Sequence, residues 1–177
     1  MSETVHGFIY DKDADGIVTI TMDMEGPVNA MNEHYRQAMA ILLPKLEAEQ
    51  GLAGMVFASA KKTFFAGGDL KELSSVPKGE EEAQFRMIED KVKAPLRRLE
   101  QLPVPVVAAI NGAALGGGLE ICLACNYRVA LNDSGVVLGL PEVTLGLLPG
   151  GGGVVRSIHM LGIELSLIHI SEPTRPY

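Results

Sequence analysis

Two glutamates stand in stretches otherwise built of apolar residues and glycine. Glu120 follows Gly116-Gly117-Gly118 in ALGGGLEICLAC, and Glu142 follows Pro141 in LGLPEVTLGLLPGGGG. A carboxylate among apolar neighbours is costly unless it is paired, exposed or used. Used, it is a proton carrier whose surroundings set its acidity. Glycine is chosen where φ is positive or where a backbone must approach something closely. Gly116–Gly118 follows a strand-like run and opens a helix-like one, so its N–H groups lie at the positive helix end and suit an anion. Ala66-Gly67-Gly68, after another strand-like run, is placed to supply a second N–H. Two glutamates and two converging amides are the parts of an acid/base site with an anion hole, the arrangement an enolate requires. Taken singly, each glycine turn also reads as a tight connection, and each glutamate as a charge at a sheet rim.

Other chemistries lack their parts. A dinucleotide fingerprint needs G-x-G-x-x-G opening a helix, and neither Gly116–Gly118 nor Gly150–Arg156 supplies the third glycine. The chain has no G-x-x-x-x-G-K-[ST], G-x-S-x-G or H-E-x-x-H, and its histidines (His6, His34, His159, His169) are scattered. A hydrolase triad and a metal site are therefore unsupported. Cys122 and Cys125 form a C-x-x-C, but no second pair completes a zinc site. They also lie away from a helix N-terminus that would acidify a redox thiol, so they read as core residues. Gly150–Gly153 reads as a turn behind the site, not a phosphate loop.

The elements that must position these residues follow from periodicity. Gly16–Met22 alternates as a half-buried strand. Asn32 is a plausible N-cap for a helix carrying Tyr35, Met39, Leu42 and Leu46, which Pro44 should kink or shorten. Leu52–Ser59 and Pro105–Ile110 read as buried strands, Leu119–Cys125 as a helix and Tyr127–Leu131 as a strand. Glu80–Gln101 reads as a helix presenting Phe85, Ile88, Val92, Leu96 and Leu99, broken near Pro95. Strands alternating with helices indicate an α/β protein. At 177 residues, with 47% hydrophobic and 21% charged residues, the chain is about one domain with a real core. A net charge of −7 without a basic patch argues against nucleic acid. The sequence shows no secretory signal and no apolar run long enough for a membrane span, so a cytoplasmic location is expected.

Together, FFAGGDLKEL, PVVAAINGAALGGGLEICLACNYRVA and LPEVTLGLLPGGGG resemble the crotonase superfamily, specifically enoyl-CoA hydratase. The wording LGLPEVTLGLLPG is most similar to the hydratase part of multifunctional fatty-acid oxidation enzymes, which also carry a 3-hydroxyacyl-CoA dehydrogenase. The resemblance implies a crotonase-like spiral of repeated ββα units, an acyl-CoA thioester substrate, no cofactor, and a trimer or larger complex. It places the oxyanion hole on the amides of Gly68 and Gly117 and the catalytic pair on Glu120 and Glu142. Glu120 would deprotonate water attacking the β-carbon, and Glu142 would deliver a proton to the α-carbon. Val28, Ala66, Asp69, Leu70, Gly116 and Pro141 would line the acyl-CoA channel. Both glutamates are present, which favours hydration, since double-bond isomerases of the superfamily commonly lose the counterpart of Glu120. The resemblance runs from about Gly16 to Gly162. Residues 163–177, ending in SEPTRPY, carry no family pattern, so the domain is expected to span 1–162 without its C-terminal helices, followed by an artefactual tail.

Overall fold

The computed structural model describes residues 2–166. A six-stranded sheet, in the order β1-β2-β3-β4-β5-β7, forms the frame. β1 (Glu3–Val5), β2 (Phe8–Lys12) and β3 (Ile17–Met22) are an antiparallel meander. From β3 onward the sheet is parallel, so each further strand requires a crossover. The first is α1 (Glu33–Ala48), leading to β4 (Gly54–Ser59). The second holds α2 (Leu70–Ser74), α3 (Glu81–Ile88) and α4 (Ala94–Glu100) and leads to β5 (Val106–Ile110). The third holds β6 (Ala114–Leu115) and α5 (Gly117–Ala124) and leads to β7 (Tyr127–Ala130). β8 (Leu138–Gly139) pairs with β6 in a second, small sheet; a 3-10 turn, Pro141–Leu145, and α6 (Gly153–Leu161) follow. The α/β class and the strand and helix assignments agree with the sequence pattern.

Alternation decides which face is buried. Val18, Ile20 and Met22 of β3 and Val106, Ala108 and Ile110 of β5 all point into one core. There they meet Met39, Leu42, Leu43 and Leu46 of α1 and Leu96 and Leu99 of α4. β7, at the sheet edge, is exposed along its whole length.

Both prolines behave differently from the expectation. Asn32 caps α1 as predicted, its Oδ1 accepting from the Tyr35 N–H at 3.1 Å, but the helix runs through Pro44 to Ala48. Pro44 removes the donor to the Ala40 carbonyl. Both residues are exposed, so water takes the donor's place. Near Pro95 the chain does not break; it widens. Glu89–Lys93 forms a π-helical turn in which the Ala94 N–H reaches the Glu89 carbonyl, and the helix then resumes. One extra residue per turn lets the proline ring follow without striking the preceding turn. Phe85 also departs from the pattern: α3 buries none of its residues, and Phe85 is 64% exposed. Of the expected tail, residues 163–166 are helical, and the buried Ser166 hydroxyl lies 2.7 Å from Ser157 Oγ; residues 167–177 lie outside the described residues.

One buried polar side chain ties the crossovers together. Asn29 is wholly buried. Its Oδ1 accepts from the Met24 N–H at 3.0 Å, and its Nδ2 protons are shared among Met22 O, Phe64 O and Ser59 Oγ at 2.9–3.2 Å. Truncation would strand several of these groups without partners. N29A is expected to lower stability by about 2–4 kcal/mol, read from urea midpoints, whereas the exposed N111A should change it by less than about 1 kcal/mol. Equal losses in the two variants would remove Asn29 as the hub.

Candidate active site

The chain around Asn29 is stitched edge to edge with the two glycine turns. Asn29 O accepts the Ala66 N–H at 2.9 Å, and Gly67 O accepts the Met31 N–H at 2.8 Å. Phe65 O in turn accepts the Leu115 N–H at 3.1 Å, and Gly139 O accepts the Gly116 N–H at 2.9 Å. Segments 29–31, 65–68, 114–116 and 137–139 thus lie side by side, with bridges Met31–Gly68 and Phe65–Ala114 continuing the β6–β8 ladder.

Glycine is required where these segments touch. Gly67 has φ +100°, and a Cβ there would stand 3.0 Å from Leu115 O. Gly116, at φ +51°, caps α5; its Cβ would fall 2.7 Å from Glu142 Oε1 and 3.8 Å from Gly67 Cα. The glycine pairs therefore meet backbone to backbone, with the Glu142 carboxylate against them. Among the described residues, neither the Gly68 nor the Gly117 N–H donates to a protein acceptor. Gly117 is the first residue of α5, where an amide has no intrahelical partner and carries the positive end of the helix.

Glu120 sits one turn along α5 and is 2% exposed. Its Oε1 accepts the Gly153 N–H at 2.8 Å. A Cβ on Gly151 would stand 2.5 Å from its Oε2, and one on Gly153 would stand 2.9 Å from its Cγ. The reading of Gly150–Gly153 as a turn behind the site is thus overturned. These glycines wrap the carboxylate, and only residues without side chains allow that approach. The spacing of 33 residues hid this partnership from any local motif.

Burial acts on both carboxyls in the same direction, with different neighbours opposing it. Burial pushes Glu120 upward; the Gly153 amide opposes this, the Glu142 charge adds to it, and the Gly151 amide and Arg156 pull it back. Glu142, half-buried on the 3-10 turn, is also pushed up by burial, with only its own backbone amide opposing. Its Oε2 is buried without a hydrogen-bond partner among the described residues. Both carboxyls are pushed toward their neutral forms; fixed glycine amides oppose this at Glu120, and only its own backbone amide does so at Glu142. What differs is the set of donors each carboxyl has, and the surroundings of a carboxyl set its part in proton transfer.

The structure gathers Gly68, Gly116, Gly117, Glu120 and Glu142, with Ala66 at the start of the first turn. Val28, half-buried, reaches them through its neighbour Asn29. Leu70 and Pro141 are exposed. Asp69 is occupied: its carboxylate caps α2, accepting from the Lys71 and Glu72 N–H groups at 2.9 and 3.3 Å. Sequence reasoning missed Met31, whose Cε would lie 2.9 Å from a Cβ on Gly117. It also missed Tyr35, wholly buried edge-on to Phe65 at 5.6 Å. Cys122 and Cys125 are free and buried, and burial pushes Cys125 up to about 12, which suits packing and not redox work. No group of three or more candidate metal ligands occurs among the described residues, and none of their helices is long and apolar enough to cross a membrane.

A mixed sheet with glycine-lined crossovers thus brings two unpartnered amides near two carboxyls shielded from solvent. Residues 12–167 match the enoyl-CoA hydratase/isomerase family, and the chain belongs to it. Its curated relatives include the fatty acid oxidation complex subunit alpha of Idiomarina loihiensis, 41% identical over 158 residues. The subunit of the same description from Shewanella frigidimarina is 43% identical over 155 residues. These matches cover 88% and 86% of this chain but 22% and 21% of the relatives' own length. Among solved structures, an enoyl-CoA hydratase from Bacillus anthracis superposes with a TM-score of 0.82 at 31% identity, covering 93% of this chain and 62% of that one. One from Thermoplasma volcanium gives 0.82 at 26%, covering 94% and 64%. The crotonase-type fold implied by the resemblance is therefore the fold observed.

The buried acid has a consequence for stability. Glu120 binds its proton more tightly folded than unfolded. Below the ordinary carboxylate pKa of about 4.3 it is protonated in both states and costs nothing. As pH rises past that value, the unfolded state ionises first, and stability falls until the folded group ionises too. E120Q should therefore be more stable than wild type at neutral pH, with the difference vanishing in acid, as read from thermal midpoints across pH. A variant less stable at neutral pH would show that the Gly153 contact outweighs the desolvation.

Proposed function

We propose that this chain adds water to a trans-2-enoyl-CoA, giving the 3-hydroxyacyl-CoA, as the hydratase portion of a fatty-acid oxidation enzyme in the cytoplasm. The observation that carries the reading is the convergence of two differently held carboxyls on two unpartnered amides. In the proposed reaction the thioester oxygen accepts from the Gly68 and Gly117 N–H groups. Glu120, in its ionised form with the Gly153 N–H on its Oε1, takes a proton from water. The water oxygen bonds to the β-carbon, and the π electrons move onto the thioester as an enolate, whose charge the two amides offset. Glu142, kept toward its neutral form, gives its proton to the α-carbon. The addition is redox-neutral and calls for no cofactor beyond the thioester itself.

Relatives described as fatty acid oxidation complex alpha subunits support the metabolic setting. Hydration is favoured over double-bond migration because both carboxyls reach the site, whereas a shift of the double bond needs one base. Lining by Val28, Ala66, Asp69, Leu70, Gly116 and Pro141 is proposed for the acyl-CoA channel, Asp69 acting through the helix it caps. A second reading, a non-catalytic acyl-CoA-binding fragment that needs a partner, draws support from exposed apolar residues such as Tyr127, Val129 and Leu148. A family-like trimer is proposed as one way of covering them.

Loss of the enoyl absorbance of crotonyl-CoA, measured alongside size-exclusion of the same sample, separates the two readings. Turnover is expected from the folded chain, and E142Q should lower kcat by at least about 10²-fold with thioester binding retained in calorimetry. Wild-type turnover in E142Q would refute the assignment. A folded but inactive wild-type chain would favour the fragment.

A further inference from the structure

Gly151 and Gly153 hold Glu120, and a single side chain holds them. Arg156, in the first turn of α6, donates through Nη1 to Gly151 O at 2.8 Å and through Nε to Glu100 Oε1 at 2.6 Å. Its Nη1 lies where a Cβ on Gly152 would fall, 2.4 Å away, so the guanidinium rests directly against the loop. Glu100 closes α4 and also accepts from Arg97 at 3.0 Å. The Arg156 and Glu100 side chains are 13% and 22% exposed. The Arg98–Glu47 pair, on the same helix α4, is 40% and 41% exposed. A partly covered pair with additional hydrogen bonds fixes geometry in a way that an open surface pair does not. Arginine suits the task because its planar fork can serve a carboxylate and a carbonyl at once, which a lysine ammonium does without fixed direction.

We infer that Arg156 is a positioning residue for proton transfer at Glu120: latched to Glu100, it fixes the Gly151–Gly153 loop so that the Gly153 N–H stays on the carboxylate. The inference rests on the acid/base reading of Glu120. Groups facing that carboxyl are Glu142 from the 3-10 turn, Tyr35 from α1, Arg156 from α6 and the two glycine amides. Burial holds the Tyr35 hydroxyl neutral, so Arg156 and Glu142 are the charges that matter. Loss of Arg156 withdraws a positive charge and frees the donor loop, and both effects favour the protonated form of Glu120. A base protonated more of the time shifts the acid limb of the rate profile to higher pH.

The test compares R156Q, R156K and R98Q in crotonyl-CoA hydration across pH. R156Q is expected to lower kcat about tenfold or more with KM within about twofold, and to move the acid limb to higher pH. R156K should return the limb toward wild type while recovering less of kcat, because it restores charge without the fork. R98Q, on the outer pair, should match wild type. A wild-type kcat in R156Q, or a fall in kcat with an unshifted limb, overturns the inference. If R156Q does not fold, E100Q carries the test, with a several-fold fall in kcat at unchanged KM expected and wild-type kcat overturning it. Should the wild-type chain show no hydration, the proposed function falls separately, and titration of the 13C-labelled Glu120 carboxyl decides the latch. A higher midpoint in R156Q supports it; an unchanged midpoint overturns it.

Discussion

The contact between the Glu120 carboxylate and the backbone of Gly151 and Gly153 is the constraint on which the rest of this structure depends. A carboxyl 2% exposed needs fixed donors, and here they come from a loop that can approach only because it has no side chains. That loop must be held in turn, which brings in Arg156 and, through it, the end of α4. The opposite flank of α5 is equally tight: a Cβ on Gly118 would fall 2.4 Å from Phe65 O. The helix carrying Glu120 is thus clamped on both sides by backbone, and its orientation has little freedom to drift.

The second layer, made of four short segments running side by side, brings the two glycine turns together. Its cohesion comes from main-chain hydrogen bonds, and Asn29 ties its first segment to Met22, Met24, Ser59 and Phe64. An all-apolar residue at that position would fill the volume and leave those backbone groups unpaired. The polar hub therefore fixes the 29–31 segment against the ends of β3 and β4, where apolar packing would tolerate several placements.

How much could be read from the sequence divides along locality. Strand alternation in β3, the Asn32 cap and the glycine turns beside Glu120 and Glu142 are written in neighbouring residues, and the structure has them where the pattern puts them. The family resemblance carried the overall fold. What stayed hidden depends on distant partners. Gly153 meets Glu120 across 33 residues, and Arg156 meets Glu100 across 56. No window of sequence contains both members of either pair. Pro44 and Pro95 misled for a different reason: a proline rule gives the cost of a missing donor, while solvent at Ala40 and a widened turn at Glu89–Lys93 supply the relief. Phe85 shows the limit of periodicity, which marks an apolar stripe without saying whether anything covers it.

The buried cysteines give the protein a clock of its own. Cys122 and Cys125 lie in and just beyond α5, the helix that carries Glu120, and both thiols are held protonated by burial. Alkylating reagents attack the thiolate, so neither sulfur reacts until the surrounding packing opens. The rate at which these two positions are modified therefore counts how often the scaffold beneath the paired carboxyls comes apart, without a label being introduced anywhere near them.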